Sequence, residues 1–293
     1  MYKCLLYGCG KDCGSYINLV KYFELRGDIS VVGITAKERL YSELFGYKFI
    51  ELESLEQVDF DIVIVMTNKY YLEIQEELLM LEIDASCIIP CRVLELFEFD
   101  FGKYIELKKS DISILAINCW GGFTYHRLGL RFQSPFINMF LRTNDFLKFL
   151  KNPQFYLEQK IFLSEWRYNP HLEREYPVAK CADIELYFNH ATNFESAKRD
   201  WDNRKVRINW SNLFVMMYTN NEEEVMEFLN LNYEKKICFT TIKVDNDYVF
   251  DISSLFSNST AKDANSFAQG MYFGYNTLDL LLDGKIVRDV AKL

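Results

Sequence analysis

A thiol, two glycines and an imidazole lie within a few positions of one another at residues 118–126, which read Asn-Cys-Trp-Gly-Gly-Phe-Thr-Tyr-His. The apolar run at 112–117 predicts a strand, so Cys119 would lie at a strand's carboxyl end, where α/β sheets bind ligands. A thiol in that position can attack a carbonyl carbon. The backbone N–H groups of Gly121 and Gly122 could then face an anion or a developing oxyanion.

A cysteine nucleophile needs a base, and the chain has three histidines. His126 and His190 each adjoin a candidate segment, and either could take the thiol proton while Asp183 orients the ring. The alternative is a buried structural thiol. The size of Ile117, two positions before Cys119, favours that alternative because a nucleophile elbow requires a small residue there.

The most cationic stretch of the sequence is 197–210. On a helix, Trp201, Arg204 and Ile208 would share one face, and Arg207 would lie on another. Arginine side chains beside a tryptophan ring suit a diphosphate and a ring, as in a nucleotide sugar or a lipid pyrophosphate. The alternative is a solvated helix face, with Trp201 and Ile208 packed in the core.

Three glycines, Gly8, Gly10 and Gly14, follow the first apolar run and lead into an amphipathic helix. Such a loop lets a pyrophosphate reach a helix N-terminus, so NAD(P) or a nucleotide sugar is the candidate cofactor. The spacing departs by one residue from Gly-x-Gly-x-x-Gly, and no acidic residue follows the second strand. Lys37 and Arg39 lie there instead and could meet a 2′-phosphate. The alternative is a structural tight turn.

Metal binding has little support in the sequence. Asp183 and Glu185 are two apart and would share a strand face, where Glu165 or Asp145 could join them around a hard metal ion. The eight cysteines include no Cys-x-x-Cys and no zinc-ribbon spacing. We therefore predict no metal site, and reduced cysteines in a cytoplasmic protein.

Length and charge narrow the class of protein. The chain has 293 residues, 49% of them apolar and 26% charged, which is typical of a globular protein with two domains. Its 33 basic and 42 acidic residues give a net charge of −9, which disfavours a general nucleic-acid binder. No segment approaches the roughly 18 apolar residues of a membrane helix, and no signal peptide pattern begins the chain. We expect a cytoplasmic protein with a small-molecule partner, no nucleic acid and no transmembrane segment.

Apolar strands alternate with amphipathic helices along residues 1–108. The patterns predict strands at 3–7, 29–34, 61–66 and 87–90, and helices near 16–25 and 70–81. This alternation is typical of a parallel sheet with right-handed crossovers. Residues 101–110 lose periodicity and gain charge, so we place the domain boundary near 108.

Residues 109–293 are predicted to form a second domain. The patterns indicate strands at 112–117, 182–190, 213–218, 236–241 and 248–252, and helices near 143–151, 194–206, 222–229 and 277–282. Residues 118–126 are predicted to be a loop. The fold class is therefore α/β, with an N-terminal Rossmann-like parallel sheet and a second α/β domain that has a mixed sheet.

Four motifs in the first domain carry a resemblance to a known kind of module. They are Leu-Tyr-Gly-Cys-Gly-Lys at 6–11, Asp-Phe-Asp-Ile-Val-Ile-Val at 59–65, Glu-Ile-Gln-Glu-Glu-Leu at 73–78 and Ile-Ile-Pro at 88–90. With them the domain resembles a small Rossmann-like module found beside glycosyltransferases, sugar-modifying enzymes and methyltransferases of bacterial surface-polysaccharide pathways. Many proteins share this pattern, so it indicates fold more than function.

A second set of motifs lies in residues 110–290, at 118–130, 134–138, 183–190 and 201–210. With these motifs the domain resembles the bacterial family called domain of unknown function 1919, often labelled exopolysaccharide biosynthesis protein. The resemblance implies a place in surface-polysaccharide assembly and no particular reaction. It includes the candidate site residues Asn118, Cys119, Trp120, Gly121, Gly122, Tyr125, His126, Asp183, His190, Trp201, Arg204 and Asn209.

Three functions follow as hypotheses. The first is a transferase in surface-polysaccharide assembly, in which the two glycines and the two arginines named above bind a diphosphate and His126 or His190 is the general base for a sugar hydroxyl. The second is a non-catalytic protein that binds a nucleotide or nucleotide sugar. The third is an acyltransferase or hydrolase that depends on Cys119.

Overall fold

The structure, a computed structural model, describes residues 1–37, 42–253, 275–284 and 286. The chain divides into two units, one of Met1–Lys109 with Arg127–Gly129 and the other of Ser110–His126 with Leu130–Leu293. Parallel strands and helices occur in both units, so the predicted two-domain α/β fold class is confirmed. No helix in the described residues is both long enough and apolar enough to cross a bilayer.

A four-stranded parallel sheet organises the first unit, in the order β2-β1-β5-β6. The elements are β1 (Tyr2–Tyr7), α1 (Lys11–Arg26), β2 (Ile29–Thr35), β3 (Glu43–Leu44), β4 (Tyr47–Lys48), β5 (Ile62–Val65), α2 (Tyr71–Met80), β6 (Ile88–Pro90) and α3 (Phe101–Lys109), with short 3-10 helices at Leu52–Gln57, Ala85–Cys87 and Cys91–Glu95. Every residue of β5 is buried, as its continuous apolar sequence predicts for an inner parallel strand. Along the chain, β2 is added on one side of β1, and β5 and β6 are then added on the other side. The strand order therefore reverses between β1 and β5.

Residues 101–109 form α3, where the sequence analysis expects an irregular segment. Phe101, Tyr104 and Leu107 are three positions apart and buried, and exposed charged residues separate them. The Tyr104 hydroxyl also donates a hydrogen bond of 2.6 Å to the carbonyl oxygen of Leu128. The prediction was wrong because charge was weighed above the spacing of the three apolar residues.

The second unit combines a parallel sheet, ordered β13-β12-β11-β7, with an antiparallel sheet, ordered β10-β9-β8. The elements that follow α3 along the chain are β7 (Ser113–Ala116), α4 (Trp120–Leu128), α5 (Thr143–Lys151), α6 (Pro153–Glu158), β8 (Ile161–Asn169), β9 (Arg174–Cys181), β10 (Ile184–Tyr187), α7 (Phe194–Lys205), β11 (Leu213–Tyr218), α8 (Glu222–Leu229), β12 (Lys235–Thr240), β13 (Val249–Asp251) and α9 (Thr277–Asp283). The parallel strand pairs and the antiparallel strand pairs therefore lie in two separate sheets. The strands β8 and β9 are absent from the sequence prediction.

A short extended segment at Phe140 and Leu141 links the two sheets. The Leu141 N–H donates to the carbonyl oxygen of Ile117 at 2.9 Å, just after β7. Phe140 exchanges two backbone hydrogen bonds with Tyr187, the last residue of β10, at 3.0 and 3.1 Å. Their rings also stack at 4.7 Å. This segment, which we call the bridging segment, brings the carboxyl ends of β7 and β10 side by side.

Candidate active site

Cys119 lies between β7 and α4, so the predicted strand precedes it and the predicted loop at 118–126 is mostly helix. The carbonyl oxygen of Cys119 accepts the first hydrogen bond of α4, from the N–H of Phe123 at 3.0 Å. The side-chain oxygen of Asn118 accepts from the N–H of Trp120 at 3.0 Å. These two bonds start the helix directly after the thiol, so the loop prediction was wrong in extent.

His190 lies against the thiol. Its Nε2 atom is 3.3 Å from the Sγ atom of Cys119, within hydrogen-bonding distance for sulfur. Cys119 is buried with 8% of its surface exposed, whereas His190 is exposed, so the pair lies at the edge of the core. Arg174 donates to the carbonyl oxygen of His190 at 2.9 Å and holds the backbone of the turn after β10.

Asn189 gives the thiol a second polar neighbour. Its side chain hydrogen-bonds Cys119, while its Oδ1 atom is buried without a partner among the described residues. The amide nitrogen is therefore the group that donates to sulfur. Asn189 is not among the residues that the sequence pattern indicates, although its position next to His190 in Phe-Asn-His is a signal that could have pointed to it.

Burial sets the protonation states of the pair. It raises the pKa of the Cys119 thiol to about 11, against the lowering effect of the Asn189 hydrogen bond and of the backbone. Although His190 as a whole is exposed, desolvation of its half-buried ring lowers its pKa below the ordinary 6.5, and the positive charge of Arg174 adds to this. At neutral pH the thiol therefore keeps its proton and the imidazole is neutral, which leaves a ring nitrogen able to accept that proton.

Gly121 and Gly122 lie in the first turn of α4 and are buried. A Cβ atom on Gly121 would lie 3.1 Å from the Cβ of Ala116 and 3.5 Å from a methyl of Ile114, so glycine lets α4 approach β7. The two N–H groups precede the first intrahelical bond and have no acceptor among the described residues. They can donate to an oxyanion beside Sγ.

The structure does not bring His126 and Asp183 to the thiol. His126 is exposed on α4, seven residues beyond Cys119 and so about 10 Å further along the helix axis. Asp183 precedes β10 and His190 follows it, so the two lie at opposite ends of the strand.

Asp183 instead accepts hydrogen bonds from Lys148 at 2.8 Å and from Tyr156 at 2.9 Å. These bonds hold the pKa of its carboxyl below the usual range. The predicted orienting role of Asp183 is therefore corrected: it ties the turn before β10 to α5 and α6.

Trp120 and Tyr125 belong to the core and are not placed to bind a substrate. Trp120 is fully buried, stacks on Phe214 at 5.9 Å and donates from Nε1 to the Tyr275 hydroxyl at 2.8 Å. Tyr125 is also fully buried, and its hydroxyl accepts from the N–H of Ile114 at 2.9 Å. Their predicted substrate-binding roles are corrected to packing and hydrogen bonding.

The cationic stretch 197–210 makes mostly structural contacts. Trp201 is 1% exposed, which matches the packing alternative. Arg204 pairs with Asp200 at 2.9 Å and lies over the ring of Phe132 at 5.6 Å. Its guanidinium group is therefore already engaged, by its charge with Asp200 and by its planar face with the Phe132 ring.

Arg207 and Asn209 follow α7, which ends at Lys205, so the predicted helix face through Arg207 does not form. Arg207 donates to the carbonyl oxygen of Phe132 at 3.4 Å. The N–H of Asn209 donates to the hydroxyl of Ser113 at 2.8 Å, at the start of β7. The structure thus places these two residues away from the carboxyl end of β7.

The glycine loop lies in the first unit. Gly8 follows β1 with a φ of +116°, and Gly10 precedes the first residue of α1. Gly14 lies inside α1 and is exposed, so it is not part of the loop that the sequence analysis predicts. Lys37 pairs with Glu73 and Glu77, and Arg39 lies outside the described residues.

The acidic residues considered for a metal are distributed among other partners. Glu165 pairs with Arg167, and Asp145 accepts from the N–H of Glu185 at 3.2 Å. Within the described ranges, no three histidine, cysteine or acidic residues are grouped so that they could hold a metal ion.

Comparison with known proteins gives a family and no reaction. Residues 91–279 match the family described as "Domain of unknown function (DUF1919)", and residues 1–89 match the description "C2185-like, N-terminal". A protein of Haemophilus influenzae named "Uncharacterized protein" is 34% identical over 138 residues, which cover 46% of this chain and 64% of that protein. The chain therefore spans less than two thirds of the length of that relative.

Proposed function

Because the chain belongs to the DUF1919 family, whose name assigns no reaction, we propose its function from the site: an acyl-transfer enzyme with Cys119 as nucleophile and His190 as base. The observation that carries the proposal is the distance of 3.3 Å between Sγ and Nε2. A nucleophile and a base within hydrogen-bonding distance are the minimum arrangement for covalent catalysis.

The first step forms a thioester. The Nε2 atom of His190 takes the proton of the Cys119 thiol as Sγ attacks the carbonyl carbon of an acyl donor. The negative charge that develops on the carbonyl oxygen faces the N–H groups of Gly121 and Gly122. The tetrahedral intermediate then expels the leaving group, which receives the proton from His190, and the acyl group stays on sulfur.

The second step releases the acyl group. His190 takes a proton from the hydroxyl of the acceptor, whose oxygen attacks the thioester carbonyl. The C–S bond breaks, and the thiolate of Cys119 recovers its proton from His190. Water as the acceptor gives hydrolysis, and a sugar hydroxyl gives an O-acylated sugar. The second outcome fits the place in exopolysaccharide biosynthesis that the family resemblance implies.

A glycosyl transferase that acts on a nucleotide sugar is the second candidate. It would use His190 as the base for an acceptor hydroxyl and needs cations for a diphosphate. Arg204 and Arg207 are engaged with Asp200 and Phe132. Acyl chemistry requires no further cation at Cys119, so it has the stronger support.

The test is an acyl adduct on Cys119. The full chain is incubated with p-nitrophenyl acetate at pH 7.5, digested, and analysed by mass spectrometry for acetylated cysteines. We expect an increase of one acetyl group on the Cys119 peptide, strongly reduced in His190→Gln. Cys9, which is partly exposed in the first unit, serves as the internal control.

A Cys119 peptide that stays unmodified, or that is acetylated equally in the wild type and His190→Gln, would contradict the proposal. Circular dichroism and the thermal midpoint of His190→Gln show whether the variant is folded. Because His190 is exposed, its replacement is not expected to disturb the core.

A further inference from the structure

A groove of about 630 Å³ opens in the second unit at the amino ends of β11 and β12. Three segments line it: the junction of α5 and α6, the turn before β11, and residues 230–235 between α8 and β12. Cys119 follows the carboxyl end of β7, which pairs with β11 in the same parallel sheet. The groove and the thiol therefore lie at opposite ends of that sheet. The volume is within the range of small-molecule sites.

Hydrogen bonds between the three segments fix the shape of the groove. The Tyr233 hydroxyl donates to the carbonyl oxygen of Leu150 at 2.6 Å, which joins residues 230–235 to the end of α5. The amino group of Lys235 donates to the Oδ1 atom of Asn212 at 3.1 Å, which joins them to the turn before β11. A ligand therefore meets walls that are already in place, and this lowers the cost of ordering them on binding.

Trp210 gives the groove an uncovered aromatic surface. It is 41% exposed, whereas Trp120 and Trp201 are almost fully buried. No other ring and no cationic group packs on its indole within the part of the chain that the structure describes. The face of an aromatic ring carries partial negative charge, so it attracts C–H groups as well as burying apolar surface. An open indole in a groove wall therefore suits a ligand with an apolar C–H face.

Free polar side chains share the lining with Trp210. They are exposed and make no side-chain hydrogen bond or ion pair among the described residues, and they are Gln154, Asn230, Asn232 and Glu234. A side-chain amide both donates and accepts hydrogen bonds, as a hydroxyl group does. Three such amides in one groove can bind neighbouring hydroxyl groups, which are the polar groups of a sugar ring.

The charges of the groove disfavour an anionic ligand. The amino group of Lys151 pairs with Glu227 at 2.7 Å, and that of Lys235 is engaged with Asn212. Glu234 has no cation beside it in the described ranges. A phosphate or a carboxylate entering the groove would thus meet a free carboxylate and two lysines that already have partners.

From the open indole, the free amides and the paired lysines, we infer that this groove binds a neutral oligosaccharide. The C–H face of one sugar residue packs on Trp210, and its hydroxyl groups bond to the amides of Asn230 and Asn232. The groove binds the sugar and carries out no reaction. The inference does not depend on the acyl chemistry proposed at Cys119, because the two sites lie at opposite ends of the sheet.

The experiment measures binding of four neutral oligosaccharides to the full chain by calorimetry: maltohexaose, cellohexaose, mannohexaose and chitohexaose. Hexagalacturonate, which carries a carboxylate on every residue, is the anionic comparison. We expect at least one neutral hexamer to bind, and hexagalacturonate to bind on the order of tenfold more weakly, because its carboxylates would lie beside Glu234. Cys119→Ser is expected to bind the hexamer as the wild type does, which separates this site from the proposed acyl chemistry.

Two tryptophans provide a matched pair of variants. Trp166 is also 41% exposed, but it lies on β8 and does not line the groove. We expect Trp210→Ala to bind the hexamer on the order of tenfold more weakly than the wild type, because the stacking surface is lost. Trp166→Ala removes an indole of the same exposure and is expected to bind as the wild type does.

Asn232→Asp tests the amides at an exposed position where the shape of the side chain hardly changes. Aspartate accepts hydrogen bonds but donates none, so we expect weaker binding of the hexamer by this variant. Circular dichroism shows that each variant is folded. Three results would overturn the proposal: no neutral hexamer binds the wild type, hexagalacturonate binds as tightly as the best neutral hexamer, or folded Trp210→Ala and Trp166→Ala have equal affinity.

Discussion

The pH dependence of Cys119 alkylation separates a catalytic pair from a thiol that only lies beside a ring. Burial raises the pKa of Cys119 from an ordinary 9.0 to about 11. At pH 7.5 such a thiol is ionised in about 3 molecules in 10,000, against about 3 in 100 for a pKa of 9.0. The difference corresponds to about 2.7 kcal/mol of lost thiolate stability. Because a thiolate of higher pKa is also more nucleophilic, without a base Cys119 should react with iodoacetamide about ten- to a hundredfold more slowly than an ordinary cysteine.

His190 changes the shape of the pH profile as well as its height. A neutral imidazole removes the proton during attack, so the rate in the wild type should be nearly constant from pH 7 to 9. It should fall only at acid pH, because burial and Arg174 lower the pKa of His190 below 6.5 and the protonated ring cannot act as base. In His190→Gln the rate should rise about tenfold per pH unit over the same range, since only the thiolate reacts.

The assay is iodoacetamide alkylation of the full chain between pH 5.5 and 10, with the Cys119 peptide quantified by mass spectrometry. General base catalysis is worth about 10² to 10⁴ in rate, so we expect the wild type to exceed His190→Gln by about 10²-fold or more at pH 7.5. The Cys9 peptide from the same digests gives the reference rate. Parallel profiles for the two proteins, each rising steadily with pH, would refute His190 as the base.

Two further predictions concern residues around the pair. Gly121→Ala should destabilise the protein by about 1–3 kcal/mol, because its Cβ would lie 3.1 Å from the Cβ of Ala116. In Gly122→Ala the new Cβ meets no atom closer than 3.7 Å, so the variant should be more stable by up to about 1 kcal/mol through helix propensity. Urea unfolding measures the free energy of unfolding of both variants. Asp183→Asn should leave acetylation of Cys119 unchanged, because its partners are Lys148 and Tyr156; a strong loss in the folded variant would restore the orienting role that the sequence analysis gave it.

Local pattern was enough to predict most strands and helices of the first unit. The continuous apolar run that became β5 and the alternation around it led to the parallel sheet. The helix α3 was missed, although Phe101, Tyr104 and Leu107 carried its period, because lysines and glutamate between them suggested a linker. Periodicity was the better guide there, since exposed charge is normal on the outer face of a helix.

The candidate site was predicted in part. The sequence indicates Cys119 and His190, but it indicates His126 equally, because no local pattern reports which histidine a distant strand brings to the thiol. That choice depends on the bridging segment, whose bonds join residues far apart in sequence. The chemistry of Trp120 and Arg204 suits ligands and so predicts binding roles, whereas in the structure both side chains bond to partners inside the chain.

The bridging segment also decides how long the thiol and the imidazole stay together. Three backbone bonds at Phe140 and Leu141 hold the ends of β7 and β10 next to each other. A brief local opening of these bonds would separate Sγ from Nε2 while the parallel sheet stays intact, because that sheet has its own ladders. Amide hydrogen exchange at Leu141 and Tyr187 would then report the fraction of time in which the pair is assembled. The proposed reactivity of Cys119 would then be a property of a subglobal unit, lost at a temperature at which most of the domain is still folded.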